Sequence, residues 1–239
     1  SHNLEDEFNC GAYEVAALQR LEELFQQHDV VVAVGGSGLY VKALTEGMDS
    51  LPEADPALRE SLAQRLQTEG LEPLVEQLRE LDPAFYEVVD RKNPARILRA
   101  LEVCLTAGVP YSSLRTGKRA ERGFNIIKIG TQMDRAVLYE RIDPRVDIMI
   151  KAGLEQEARK VYPLRHLNSL QTVGYREMFD YFDGTITREQ AIELIKRNSR
   201  RYAKRQITWF GRDEEIEWFL PSEREKILQY IDSKVCTLK

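Results

Sequence analysis

"VVVAVGGSGLY", residues 30–40, runs five small apolar side chains into a loop of three glycines and a serine. The apolar run is rich in β-branched valine and bounded by Asp29 and Gly35, which predicts a fully buried strand of a parallel sheet. The glycines let the backbone turn sharply and approach another group closely. Beyond them Leu39, Tyr40, Ala43 and Leu44 recur at helical spacing, so Ser37 falls at the amino end of a helix with its hydroxyl outward. A strand-to-helix turn of this shape suits a polar or anionic group. A tight turn that needs glycine only for packing reads the same way, so the loop alone does not decide its chemistry.

With 239 residues, 43% of them hydrophobic, the chain can bury one large core or two modest ones. No apolar run approaches the roughly 18 residues of a membrane span, and the polar start "SHNLEDEF" does not read as a secretory signal. The three cysteines, Cys10, Cys104 and Cys236, are far apart and form no CxxC, and the three histidines do not cluster with them. Free thiols, a reducing cytoplasm and no zinc are the expectation.

The net charge of -5 conceals strong segregation. From Lys196 to Arg212, "KRNSRRYAKRQITWFGR" contains Lys196, Arg197, Arg200, Arg201, Lys204, Arg205 and Arg212 and no acid. The first six fall in adjacent pairs repeated every four residues, which gathers them along one side of a helix. A solvated helix face normally mixes signs, so an acid-free stripe repels itself unless phosphates neutralise it. The run is expected to bind a polyanion, with a merely solvated face as the alternative.

Along the chain, α/β segments flank an all-helical stretch. Tyr13 to Phe25 forms an amphipathic helix, followed by the strand and the helix from Leu39. After "EGMDSLPEADP" the pattern is helical: Asp55-Pro56 starts one helix and Gly70 stops it, Leu74, Val75, Leu78 and Leu81 mark a second, and "LDPAFYEVV" opens a third. Asn93-Pro94 starts a longer helix ending at Gly108. Residues 49–92 are thus expected to form a helical insertion in an α/β core made of 1–48 and 93–239. "FNIIKIG" and "EIEWFL" predict further strands. Three strands are few for such a sheet and the chain opens on a helix, so the first strands are expected upstream of residue 1.

Two arginines strengthen the case for an anion. In "RIDPRVDIM", Asp143 is expected to cap and Pro144 to open a helix, placing Arg145 in its first turn against the helix dipole. In "QTVGYREM", Thr172 could cap a helix with Arg176 close to its start. Arg96 and Arg99 share the polar face of their helix, and "RTGKRAER" adds another basic cluster.

The segments "VGGSGLYVKAL", "LPEADPALRESL", "DRKNPARILRALEV", "RIDPRVDIM" with "AGLEQEA", "LQTVGYREM" and "YAKRQITWF" stand in an order and spacing that resembles the tRNA dimethylallyltransferase family. The resemblance covers nearly the whole chain. It implies a P-loop NTPase-like α/β core, its amino-terminal strands missing here, with an all-helical insertion that grips the anticodon arm. It also implies transfer of a dimethylallyl group from dimethylallyl diphosphate to the exocyclic amine of the adenosine beside the anticodon, with Mg2+ on the diphosphate.

Carried over residue by residue, Ser37 stands where the family usually has threonine, near the reacting adenosine, and Arg145 matches the arginine expected at the diphosphate. The resemblance implies tRNA contacts for Ser37, Arg59, Ala95, Arg96, Ile97, Leu98 and Arg99. It implies the same for Gln171, Thr172, Val173, Gly174, Tyr175 and Arg176, and for Arg200, Arg201, Lys204, Arg205 and Gln206 in the basic run. No metal ligand is assigned. The partners implied are the tRNA anticodon stem-loop and dimethylallyl diphosphate, with no membrane and a monomeric, cytoplasmic protein.

The family's GxxxxGK[ST] loop and its general-base aspartate match nothing in these residues. This chain is therefore expected to be an inactive fragment of a transferase. The alternatives are a noncatalytic RNA-binding protein, or an adenine-nucleotide prenyltransferase or small-molecule kinase on the same core.

Overall fold

The computed structural model describes residues 2–6, 8–53 and 55–236. In chain order it contains α1 (Cys10–Phe25), α2 (Gly38–Glu46), α3 (Pro56–Glu69), α4 (Glu72–Leu81), α5 (Pro83–Val88), α6 (Pro94–Ala107) and α7 (Tyr111–Leu114). There follow β1 (Ile129–Thr131), α8 (Arg135–Lys151), α9 (Leu154–Val161), α10 (Tyr175–Phe182), α11 (Arg188–Phe210), β2 (Glu217–Phe219) and α12 (Arg224–Cys236). None of these helices is long and apolar enough to cross a membrane.

Local signals set most helix ends. Asp55 caps α3 by accepting from the Ala57 N–H at 2.9 Å, Pro56 occupies its first turn, and Gly70 ends it at φ 81°. Asn93 caps α6, and Gly108 closes it in the left-handed conformation, which costs glycine nothing. Thr187 and Gln190 form a reciprocal cap at the start of α11.

The chain divides into two compact units: residues 45–121, and residues 1–44 with 122–239. In the helical unit, Leu62, Leu74, Leu78, Phe85, Val89, Ile97, Ala100 and Leu101 form one core. The expected boundary at residue 92 therefore moves. α6 belongs to the helical unit, because its apolar face completes the core that α3 and α4 begin. Asp82, fully buried, ties the unit together by accepting from the Phe85 N–H and from the N–H and hydroxyl of Ser112.

In the other unit, α11 packs on α8 and α10 around Val146, Leu154, Ala158, Leu170, Met178, Phe179, Ala191 and Ile195. β1 and β2 pair in parallel, with Gly130 opposite Trp218. Gly130 has a packing reason: a methyl group there would lie 2.5 Å from the Trp218 ring. β2 falls within "EIEWFL", while β1 takes only the last two residues of "FNIIKIG" and runs on to Thr131; both are shorter than the sequence suggests.

The predicted strand at 30–34 is not realised. Those residues carry no regular structure, and Val30, Val32 and Val34 are 49%, 76% and 94% exposed. A strand is made by hydrogen-bonded neighbours as well as by composition, and among the described residues none pairs with this segment. The chain is thus mostly helical with a small parallel sheet, an α/β arrangement.

Candidate functional site

The glycine loop is held by the far end of α11. Gln206 donates its side-chain amide to the Gly36 carbonyl at 2.8 Å. A methyl group on Gly38 would lie 2.3 Å from the Trp209 indole nitrogen, and one on Gly36 would lie 2.4 Å from the Gln206 amide nitrogen. The approach of α11 therefore requires glycine at 38, beside the Trp209 ring, whereas at Gly36 the flexible end of Gln206 would have to shift, and Gly35 has open space around it. Between them Ser37 is exposed, and its carbonyl accepts from the Val41 N–H at 3.0 Å, which opens α2. The amino end of the helix and the Ser37 hydroxyl are thus presented outward, as the sequence predicts.

The basic run on α11 splits into two faces. Arg200 pairs with Asp143, and Lys196 pairs with Asp147 at 2.9 Å, so two acids four residues apart on α8 meet two cations four residues apart on α11. The hydrogen bond to Asp147 leads the causes that raise the Lys196 pKa. Arg197, Arg201, Lys204 and Arg205 are exposed and meet no carboxylate among the described residues. Their spacing places them on one stripe, and Arg205 lies over the Tyr202 ring at 5.5 Å. The stripe of free cations is narrower than expected, because one member of each leading pair is neutralised by protein.

Arg145 is also exposed and makes no hydrogen bond or ion pair among the described residues, but it is not in a first turn. α8 starts earlier, capped by Asp134, whose carboxylate accepts from the Ala136 N–H at 2.8 Å, and Pro144 lies inside it. A helix already nucleated upstream survives the loss of one N–H donor at proline when its other face is packed, here on α11. Asp143 is consequently an ion-pair partner and not a cap, and opposition to the dipole does not explain Arg145.

In the 171–176 segment, Gly174 at φ 105° precedes α10, and Thr172 is not its cap. Gln171 donates to the Arg165 carbonyl, and Val173 packs on the core beside buried Gly174. The Tyr175 hydroxyl donates to Glu157, which pushes its pKa up to about 12. Arg176 is exposed.

In the helical unit, Ala95 and Arg96 are exposed at the start of α6. Ile97 is fully buried, so its side chain is not free to meet RNA as the resemblance implied, while Leu98 packs partly buried against the same core. A helix that buries one face can offer only the other. Arg59 and Arg99 share one buried carboxylate, Glu102, at 3.3 and 3.2 Å. Of the acids that hold these cations, Glu102 carried a readable signal, three residues after Arg99 on the same helix, whereas Asp143 and Asp147 meet partners on another helix and carried none. Nor did Glu177 and Asn198.

Helices beside a parallel strand pair, a separate helical unit, and a glycine loop held by a helix whose exposed stripe is cationic define an α/β protein. The IPP transferase family model matches residues 1–213, and the chain belongs to that family. It is 52% identical over 235 residues to the tRNA dimethylallyltransferase of Cytophaga hutchinsonii, covering 98% of this chain and 77% of the relative. The full-length tRNA isopentenylpyrophosphate transferase of Bacillus halodurans matches in structure with a TM-score of 0.65 and 34% identity, over 99% of this chain and 75% of that one. A eukaryotic dimethylallyltransferase solved acting on tRNA shares the fold at a TM-score of 0.70 and 20% identity, over 88% of this chain and 54% of its own.

Proposed function

We propose that this protein transfers a dimethylallyl group from dimethylallyl diphosphate to the exocyclic amine of the adenosine beside the anticodon of tRNA. The observation that carries the reading is the exposed stripe Arg197, Arg201, Lys204 and Arg205, on the helix that delivers Gln206 to the loop holding Ser37. A track of unpaired cations ending at an exposed hydroxyl suits a substrate that is both a polyanion and a nucleoside. Membership of the IPP transferase family supports the same reaction.

In this reading the adenine nitrogen attacks the prenyl carbon, a C–N bond forms, and the C–O bond to diphosphate breaks with its electron pair leaving on oxygen. The amine proton goes to a base. Arg145 stabilises the charge that gathers on the leaving diphosphate, and Ser37 meets the extruded nucleotide. The parallel pair β1–β2 belongs to a P-loop-type core in this reading. Arg59, Ala95, Arg96, Arg99, residues 171–176 and the free cations of α11 hold the anticodon stem-loop. Magnesium, when bound, would supply charge neutralisation on the diphosphate; among the described residues no group of three or more His, Cys, Asp or Glu side chains is placed to hold a metal ion. We place the protein in the cytoplasm with its tRNA, acting as a monomer.

The test is transfer of label from dimethylallyl diphosphate to tRNA by the protein at the length of its relatives. Modification of the adenosine beside the anticodon is expected. Label appearing on free adenine nucleotides in preference to tRNA would sink the proposal.

A further inference from the structure

Glu177 is 5% exposed and forms no ion pair among the described residues. Its two carboxylate oxygens are divided between the start of its own helix, α10, and the long helix α11. One accepts from the Gly174 N–H at 2.8 Å, and the other accepts from the Asn198 side-chain amide at 2.7 Å. Gly174 ends the loop that leads to Arg176, and Asn198 lies between Arg197 and Arg201 on the cationic helix. One buried carboxylate therefore joins two segments that both display free cations.

A buried carboxyl group held by two neutral donors is a costly way to fasten helices, since apolar packing would hold them as well. What it adds is direction, because hydrogen bonds tolerate little displacement. Gly174 is suited to this link, since its φ of 105° is one that side chains rarely adopt and its N–H is the donor.

We propose that Glu177 and Asn198 are positioning residues, fixing the 171–176 loop on α11 so that Arg176, Arg197 and Arg201 meet the RNA backbone as one preorganised surface. This rests on the reading of those segments as RNA contacts. Neither Glu177 nor Asn198 touches RNA itself.

The experiment measures binding of an anticodon stem-loop RNA against salt concentration, with melting by circular dichroism beside it. Asn198→Asp sets carboxylate against carboxylate, whereas Glu177→Gln alone is accommodated, because the Asn198 amide can turn over and accept from the new Gln amide. The double variant relieves the repulsion: the Gln oxygen accepts from the Gly174 N–H and its amide donates to Asp. Asn198→Asp is expected to lower the log–log salt slope by about 1, the loss of one phosphate contact, and the double variant to restore it. A folded Asn198→Asp variant that keeps the wild-type slope, or a double variant no better than Asn198→Asp, overturns the positioning role. The combined Arg201→Ala, Lys204→Ala, Arg205→Ala variant serves as control. If it keeps the wild-type slope, the RNA-contact reading itself falls, and the inference with it.

Discussion

Gln206 of α11 donates its side-chain amide to the carbonyl oxygen of Gly36, so the glycine loop and the cationic helix are fastened at one point. Trp209, one turn on, lies against Gly38. The loop is thus shaped by the helix that approaches it as much as by any ligand.

Substitutions to alanine in the loop should rank by what the new methyl meets. Gly38→Ala faces the rigid Trp209 indole at 2.3 Å and should cost about 1–3 kcal/mol, the range for overpacking. Gly36→Ala meets the end of a flexible Gln206 side chain and should cost less. Gly35→Ala meets nothing within 4 Å and should stay within about 0.5 kcal/mol of wild type. Urea unfolding reads the series; equal losses at Gly35 and Gly38 would contradict the packing explanation.

The cations of α11 should divide in RNA binding as they divide in structure. Removing Arg201, Lys204 or Arg205 should flatten the log–log salt slope by about 0.7 to 0.9 each, the value per neutralised phosphate. Lys196→Gln and Arg200→Gln should change it less, because Asp147 and Asp143 already neutralise those side chains. Filter binding across a salt series would refute this division if Lys196→Gln matched Arg201→Ala.

Arg145→Ala should leave folding intact, since the side chain is exposed and unpaired among the described residues. Transfer by the protein at the length of its relatives should fall by roughly 10²-fold, the scale of losing one preorganised charge contact. Affinity for tRNA should barely change. Collapse of tRNA binding with normal turnover on bound tRNA would move Arg145 from the diphosphate to the RNA.

Neighbouring residues of α6 should report different things. Ile97→Ala opens a cavity in the core of the helical unit and should cost about 2–5 kcal/mol by thermal or chemical melting. Arg96→Ala should leave the melting unchanged and lower the RNA salt slope by about 1. A stable Ile97→Ala variant with impaired RNA binding would restore Ile97 to the interface.

Asp49 accepts hydrogen bonds from the hydroxyl and N–H of Thr116 and from the Gly117 N–H. The Thr116 hydroxyl is the main reason its pKa lies below the ordinary carboxylate value. A carboxylate whose folded pKa is lowered contributes stability above its unfolded pKa and loses it as pH falls through the folded one. The gap in melting temperature between wild type and Asp49→Ala should therefore be full at neutral pH and shrink below about pH 4, where aspartate begins to protonate. A gap that widened in acid would reverse the sign and exclude this role.

Helix boundaries were legible in sequence wherever a local device sets them. Asp55-Pro56 with Gly70, and Asn93-Pro94 with Gly108, act on backbone groups a few residues away, so tertiary structure had little to add. "RIDPRVDIM" misled for the same reason. Asp-Pro looks like a start to any local reading, but Asp134 had already nucleated the helix and α11 supports it.

The sequence by itself determined the family, because six motifs in order are a property of the chain. It also determined that cations concentrate between Lys196 and Arg212. Tertiary structure alone decided which of those cations are free, because their counterions Asp143 and Asp147 lie some fifty residues earlier and meet them only when α8 packs on α11. It decided likewise that Ile97 is buried while Arg96 is exposed, that residues 30–34 form no strand here, and that Glu177 links Gly174 to Asn198. Charge, burial and hydrogen-bond pairing depend on neighbours in space, and local pattern reaches only neighbours in sequence.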